Sequence, residues 1–175
     1  TDPDCVIVTG GAASALFLVA SSLLEPGDHM IVARPNYGTN IATPEAIGAD
    51  ISYLDQKFEE GFRVDIEKLE SLIRPDTKYI SLTNPHNPTG TMMGLRELKR
   101  VIAIAEKHGV RLLVDETYRD MFKDERLPVA ASLSKKVISI SSLSKTYGIP
   151  GIRIGWAVCQ DKEMIELLTC AKEQV

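Results

Sequence analysis

Seven short apolar runs, at residues 6–9, 30–33, 51–54, 79–82, 112–115, 137–141 and 154–158, punctuate the 175-residue chain, and most are rich in Val, Ile and Leu. Runs of this length without strict polar–apolar alternation suit strands covered on both faces, because neither face meets water. Helical spacing fills the gaps. In residues 95–107, Leu95, Leu98, Val101, Ile102 and Ala105 form one stripe, Arg96, Glu97, Lys99 and Arg100 take the other side, and Gly109 supplies the C-terminal cap. A second helix starts at the N-cap Asp65, turns Ile66, Leu69, Leu72 and Ile73 inward, and stops at Pro75. Residues 12–24 are apolar nearly all round, which predicts a buried central helix ended by Pro26-Gly27-Asp28. Strand alternating with helix throughout predicts an α/β domain with a largely parallel sheet covered on both faces.

Twenty-four acidic and 20 basic residues give a net charge of −4, so no basic footprint for nucleic acid or anionic lipid is expected. Cys5, Cys159 and Cys170 are odd in number and far apart, as in a reduced, cytoplasmic protein; with His29, His86 and His108 equally scattered, no metal site is expected. No apolar run approaches the ~20 residues of a membrane helix. The chain opens on Thr1-Asp-Pro-Asp directly ahead of a strand and stops within a helical pattern, which predicts a piece of a longer protein.

Chemistry concentrates after the strands, where ligands bind in such sheets. The run Ser142-Leu-Ser-Lys145 follows one of them, and Arg153 stands eight residues on in a Gly-flanked turn. A desolvated lysine can lose its proton and attack a carbonyl. An arginine fork with hydroxyls suits a phosphate. A phosphorylated aldehyde satisfies both, and pyridoxal phosphate is such a molecule. Thr9-Gly-Gly-Ala-Ala13 opens a helix with small residues, so its N–H groups can approach an anion. Tyr37, in Arg34-Pro-Asn-Tyr37, could stack on a heteroaromatic ring or simply fill the core. Asn84-Pro-His-Asn-Pro-Thr-Gly90 is more tightly specified than a plain loop needs, and would present the Asn87 amide at a defined point. Asp115, ending an apolar strand, is either a helix cap or ion-pair partner, or the partner of a pyridinium N–H. Ser142-x-x-Lys145 also matches an acyl-transfer motif, but its companion Ser-Asp-Asn and Lys-Thr-Gly motifs are missing.

Asn84-Pro-His-Asn-Pro-Thr-Gly90, Asp115-Glu-Thr-Tyr118, Ser142-Leu-Ser-Lys145 and Gly151-Ile-Arg-Ile-Gly155, in this order and over essentially the whole chain, resemble the class I/II aminotransferases of the aspartate aminotransferase fold type. The resemblance implies a three-layer α/β/α large domain with a mostly parallel seven-stranded sheet whose last strand is antiparallel. It implies pyridoxal 5'-phosphate held as a Schiff base on Lys145, which also shuttles the proton. Asp115 would partner the ring nitrogen, Asn87 and Tyr118 the phenolic oxygen, and Tyr37 would stack on the ring. Gly11, Ala12 and Ala13, with Ser142 and Arg153, would form the phosphate cup. Amino acid and 2-oxo acid substrates and a homodimer follow from the same likeness. Residues 1–175 would then be the cofactor-binding domain, cut at both ends, without the small domain whose arginine grips the substrate carboxylate. Asn40 stands where some members carry a histidine that supports the aspartate. C–S β-lyases and other same-fold enzymes share these motifs, and a non-catalytic cofactor-binding fragment is the rival of a different class.

Overall fold

The computed structural model describes residues 2–121 and 126–174. Each apolar run is a strand: β1 Val6–Thr9, β2 His29–Arg34, β3 Asp50–Asp55, β4 Thr77–Thr83, β5 Arg111–Asp115, β6 Val137–Ser142 and β7 Gly155–Val158. They form one seven-stranded sheet in the order β1-β7-β6-β5-β4-β2-β3. Only β7 runs against its neighbours, β1 and β6. The other pairings are parallel. Successive residues of a strand point to opposite faces, and both faces are covered. Ile31, Ala33, Ile80, Leu82, Leu112 and Val114 pack under α3 (Ile66–Ser71) and α4 (Leu95–His108). Met30, Val32, Leu113, Ile138 and Ala157 pack under α1 (Ala12–Leu23) and α5 (Lys162–Lys172). Burying each large aliphatic side chain contributes about 1.5–3 kcal/mol.

Local signals cap the helices, although α3 ends at Ser71, four residues before the Pro75 expected to stop it. Asp65 accepts the Lys68 N–H at 2.9 Å as the N-cap of α3, and Gly109 closes α4 in the left-handed conformation. Two further expectations change. Although α1 is apolar in composition, it is not buried all round: Phe17 is 45% exposed, because the sheet, α2 (Thr39–Ile47) and α5 cover its other sides. And α2 has no apolar stripe to announce it, with Pro44 inside it and only Asn40 and Pro44 buried. Among the described residues no helix is long and apolar enough to cross a membrane.

Because β1, β2, β4, β5 and β6 all end at one edge of the sheet, and antiparallel β7 starts there, six sequence-distant segments meet along that edge.

Candidate active site

A cleft of about 220 Å³ opens at this edge, lined by Ala12, Ala13, Tyr37, Asn87, Asp115, Thr117, Tyr118, Ser142, Ser144, Lys145, Pro150 and Arg153. Nine of the ten residues marked out in the sequence are therefore on one wall or another. Gly11 is not. It is the N-cap of α1, at φ 102°, and sits behind the wall with the Arg153 guanidinium against it, where a Cβ would collide. Gly155 shows the same close approach: a Cβ there would strike the Gly11 backbone and the Ala12 nitrogen. The start of β7 thus presses on the first turn of α1, which keeps the Arg153 fork and the helix terminus together.

One side of the cleft attracts anions. The N–H groups of the first turn of α1 have no partner within the helix, and the helix dipole adds positive potential. Arg153, in the left-handed conformation at φ 53°, is steadied by carbonyl groups: its Nη1 donates to Pro150 O at 2.9 Å and its Nη2 to Gly10 O at 3.0 Å. The buried Ser142 hydroxyl accepts the Ser144 N–H at 3.4 Å and keeps its own proton to donate. Lys145 follows on the same loop. Its side chain is exposed, so these residues do not supply the desolvation that the sequence suggested for it.

Across the cleft the charge is reversed. Asp115 ends β5 and is 5% exposed. Both hydrogen bonds it receives fall on Oδ1, from Thr117 N at 3.0 Å and Thr117 Oγ1 at 2.6 Å. Burial pushes its carboxyl above the usual range, and the Thr117 bonds draw it back only in part. A buried carboxylate with one oxygen unpaired among the described residues calls for a cationic donor from the cleft. Neighbouring Glu116 points elsewhere: its Oε1 accepts the Ala130 N–H at 3.1 Å, and burial lifts its carboxyl to about 7.

Two loops frame the remaining side. Asn36 Oδ1 accepts from Tyr37 N at 2.8 Å, Asn40 Nδ2 at 3.0 Å and Thr83 Oγ1 at 3.0 Å, which fixes the turn carrying Tyr37. His86 ties that turn to the Asn87 loop, through Nε2 to Pro35 O at 2.9 Å and Nδ1 to Thr89 Oγ1 at 2.7 Å. The carbonyl can only accept, so the neutral ring carries its proton on Nε2, and burial keeps its pKa low. Asn40 does not support Asp115. Its side chain bonds Asn36 and, at 3.0 Å, Ser81.

Thr117, Ser144 and Pro150 line the cleft as well but were not among the expected site residues. Ser144 could have been found, since it lies one residue before Lys145. Thr117 had a local signal too: it lies two residues after Asp115, the spacing at which an N–H and a hydroxyl can both bond the carboxylate.

The profile of the family described as "Aminotransferase class I and II" matches residues 1–175. The chain is 34% identical to bovine (Bos taurus) tyrosine aminotransferase over 163 residues, which are 91% of this chain and 36% of that protein. It is 35% identical to arginine–pyruvate transaminase of Pseudomonas aeruginosa over 160 residues, 90% of this chain and 41% of the relative. Its fold superposes with a TM-score of 0.92 on a PLP-dependent aminotransferase from Streptococcus suis, at 38% identity over 98% of this chain and 46% of that one. For aspartate aminotransferase from Thermus thermophilus the TM-score is 0.90, at 29% identity over 99% of this chain and 46% of that one. The chain therefore spans less than half the length of these relatives, and it belongs to the aminotransferase class I and II family.

Proposed function

We propose that residues 1–175 form the cofactor-holding domain of a pyridoxal-phosphate-dependent aminotransferase that moves an amino group between an amino acid and a 2-oxo acid. The observation that carries this is the division of charge in one cleft: an anion-holding wall, an exposed lysine, and a buried carboxylate with an open oxygen. The donor set suits the cofactor at each functional group. Ala12, Ala13, Ser142 and Arg153 would hold the phosphate, Asp115 the ring nitrogen, Asn87 and Tyr118 the phenolic oxygen, and Tyr37 would cover one face of the ring. Bound there, pyridoxal phosphate supplies an aldehyde for imine exchange and a ring that accepts the electron pair left when an α-proton departs.

The chain's own residues supply attachment, electrostatics and proton transfer. Lys145 Nζ would be the nucleophile that attaches the cofactor and the base that takes the substrate's α-proton. Asp115 would stabilise positive charge on the ring nitrogen through a short-range pairing with its buried carboxylate. Arg153 and the first turn of α1 orient the cofactor by its phosphate without taking part in proton transfer. The same family likeness supports a homodimer. Three unpaired cysteines suit a reducing cytoplasmic setting.

Incubation with pyridoxal phosphate, borohydride reduction and peptide mapping tests the assignment. The reduced adduct is expected on Lys145, and Lys145→Ala should abolish it while leaving the circular dichroism unchanged. An adduct confined to another lysine refutes it. With an amino donor added, conversion of the cofactor to its amine form marks transamination, whereas pyruvate release marks the β-lyase alternative.

A further inference from the structure

We propose that Thr117 is the positioning residue that aims the Asp115 carboxylate into the cleft. The inference rests on the cofactor reading above. Thr117 bonds a single oxygen of Asp115 twice, with its N–H at 3.0 Å and its hydroxyl at 2.6 Å. Both side chains are buried, at 5% and 7% exposure. Two donors converging on Oδ1 set the carboxylate plane and leave Oδ2 as the acceptor for a ligand. A hydroxyl donating to a carboxylate favours the charged form, and such charge-assisted bonds are about twice as strong as neutral ones.

The loop does not need the Thr117 side chain for its own shape. Glu116 N donates to Ile140 O at 2.8 Å, Glu116 O accepts from Ser141 Oγ at 3.4 Å, and Thr117 O accepts from Thr146 Oγ1 at 3.4 Å. With backbone and Glu116 contacts anchoring the segment to β6 and to the Lys145 loop, the hydroxyl is free to serve Asp115 alone. Asn40 is committed to Ser81 and Asn36, and so leaves that task open.

The test compares pyridoxal phosphate with an analogue whose ring nitrogen is replaced by C–H, each titrated into the 175-residue chain. The wild type should bind the parent more tightly, since only the parent can meet Asp115. Thr117→Val keeps the side-chain shape and the N–H bond but removes the hydroxyl; it should shrink that preference about tenfold, in line with the loss of one hydrogen bond to a charged group. Thr117→Ser should keep it. Thr117→Ala repeats the measurement if the valine variant does not fold. An unchanged preference, or equal weakening of both ligands, overturns the proposal, because a merely structural threonine would affect them alike. Failure of the wild type to form any reducible adduct at Lys145 would instead overturn the cofactor reading, and this inference with it.

Discussion

His29 and Asp115 are both buried ionisable residues on the sheet, at opposite edges, and their surroundings differ in one respect. His29, at the start of β2, is fully enclosed, with Nδ1 2.7 Å from Thr77 Oγ1 and Nε2 2.9 Å from Ser52 Oγ. Thr77 Oγ1 already accepts the Arg74 N–H at 2.8 Å, so its proton can go to Nδ1, while Nε2–H donates to Ser52. Every polar atom of the ring is matched by the strands themselves. Asp115, at the end of β5, has its two bonds on one oxygen only. A closed polar network at one edge of the sheet adds stability and asks nothing of a ligand. An open one at the other edge gives up stability in exchange for a place where a ligand can complete it.

The largest expected effect would test the open edge. Asp115→Asn should lower the rate of cofactor conversion by an amino donor by about 10- to 1,000-fold in the active enzyme, because losing an opposite charge moves a neighbouring pKa by ~1–3 units. The cofactor-free chain should gain about 0.5–2 kcal/mol in urea unfolding, since the variant no longer buries a charge. Normal conversion by this variant would make Asp115 a structural cap, and a loss of stability would remove the contrast with His29.

The closed edge should respond the other way. His29→Ala strands the hydroxyls of Thr77 and Ser52 and leaves a cavity, so it should cost about 2–3 kcal/mol in the same unfolding assay with little change in pyridoxal phosphate affinity. If affinity falls in parallel with stability, the two edges are not independent.

The last effect shows only as the pH changes. Glu116 is lifted by burial to about 7 from an ordinary 4.5, so the folded protein holds a proton that the unfolded chain releases earlier. Its contribution to stability is full below about pH 4.5 and fades as the pH rises to about 7. His29 is shifted down, first by burial and then by the Arg74 charge, so its contribution is present above the ordinary histidine value and is lost as the pH falls below it. Glu116→Gln should remove the first slope, about 3 kcal/mol between pH 4.5 and 7, and leave the second. Unfolding series at several pH values would show this, and an unaltered slope in the variant would assign the titration elsewhere.

Much of the molecule could be read from residue types because the rules involved are local. The central strands β2, β4, β5 and β6 are almost wholly buried and so mostly apolar, and the more exposed β1, β3 and β7 are still short runs rich in apolar residues between helices, so all seven strands were recognisable. Asp65 and Gly109 marked helix ends because capping satisfies backbone groups within a few residues. Asn87, Asp115, Lys145 and Arg153 could be singled out as candidates because the first three lie at or just after strand ends and Arg153 just before β7, each in a setting too specific for a plain turn. Other features depended on contacts between distant segments. The Phe17 face of α1 looked like core, and is exposed because the neighbours it receives are α2 and α5. Asn40 is taken up by Ser81, 41 residues further on, which no local pattern announces, whereas Thr117 meets Asp115 across only two residues and was within reach of a local reading. Lys145 lies exposed because burial is a property of whatever packs around a residue, and no stretch of sequence around the lysine contains that information. Periodicity and turn chemistry are short-range and survive in the sequence; burial, hydrogen-bond partnership and the charge balance of the cleft arise only once the chain has folded.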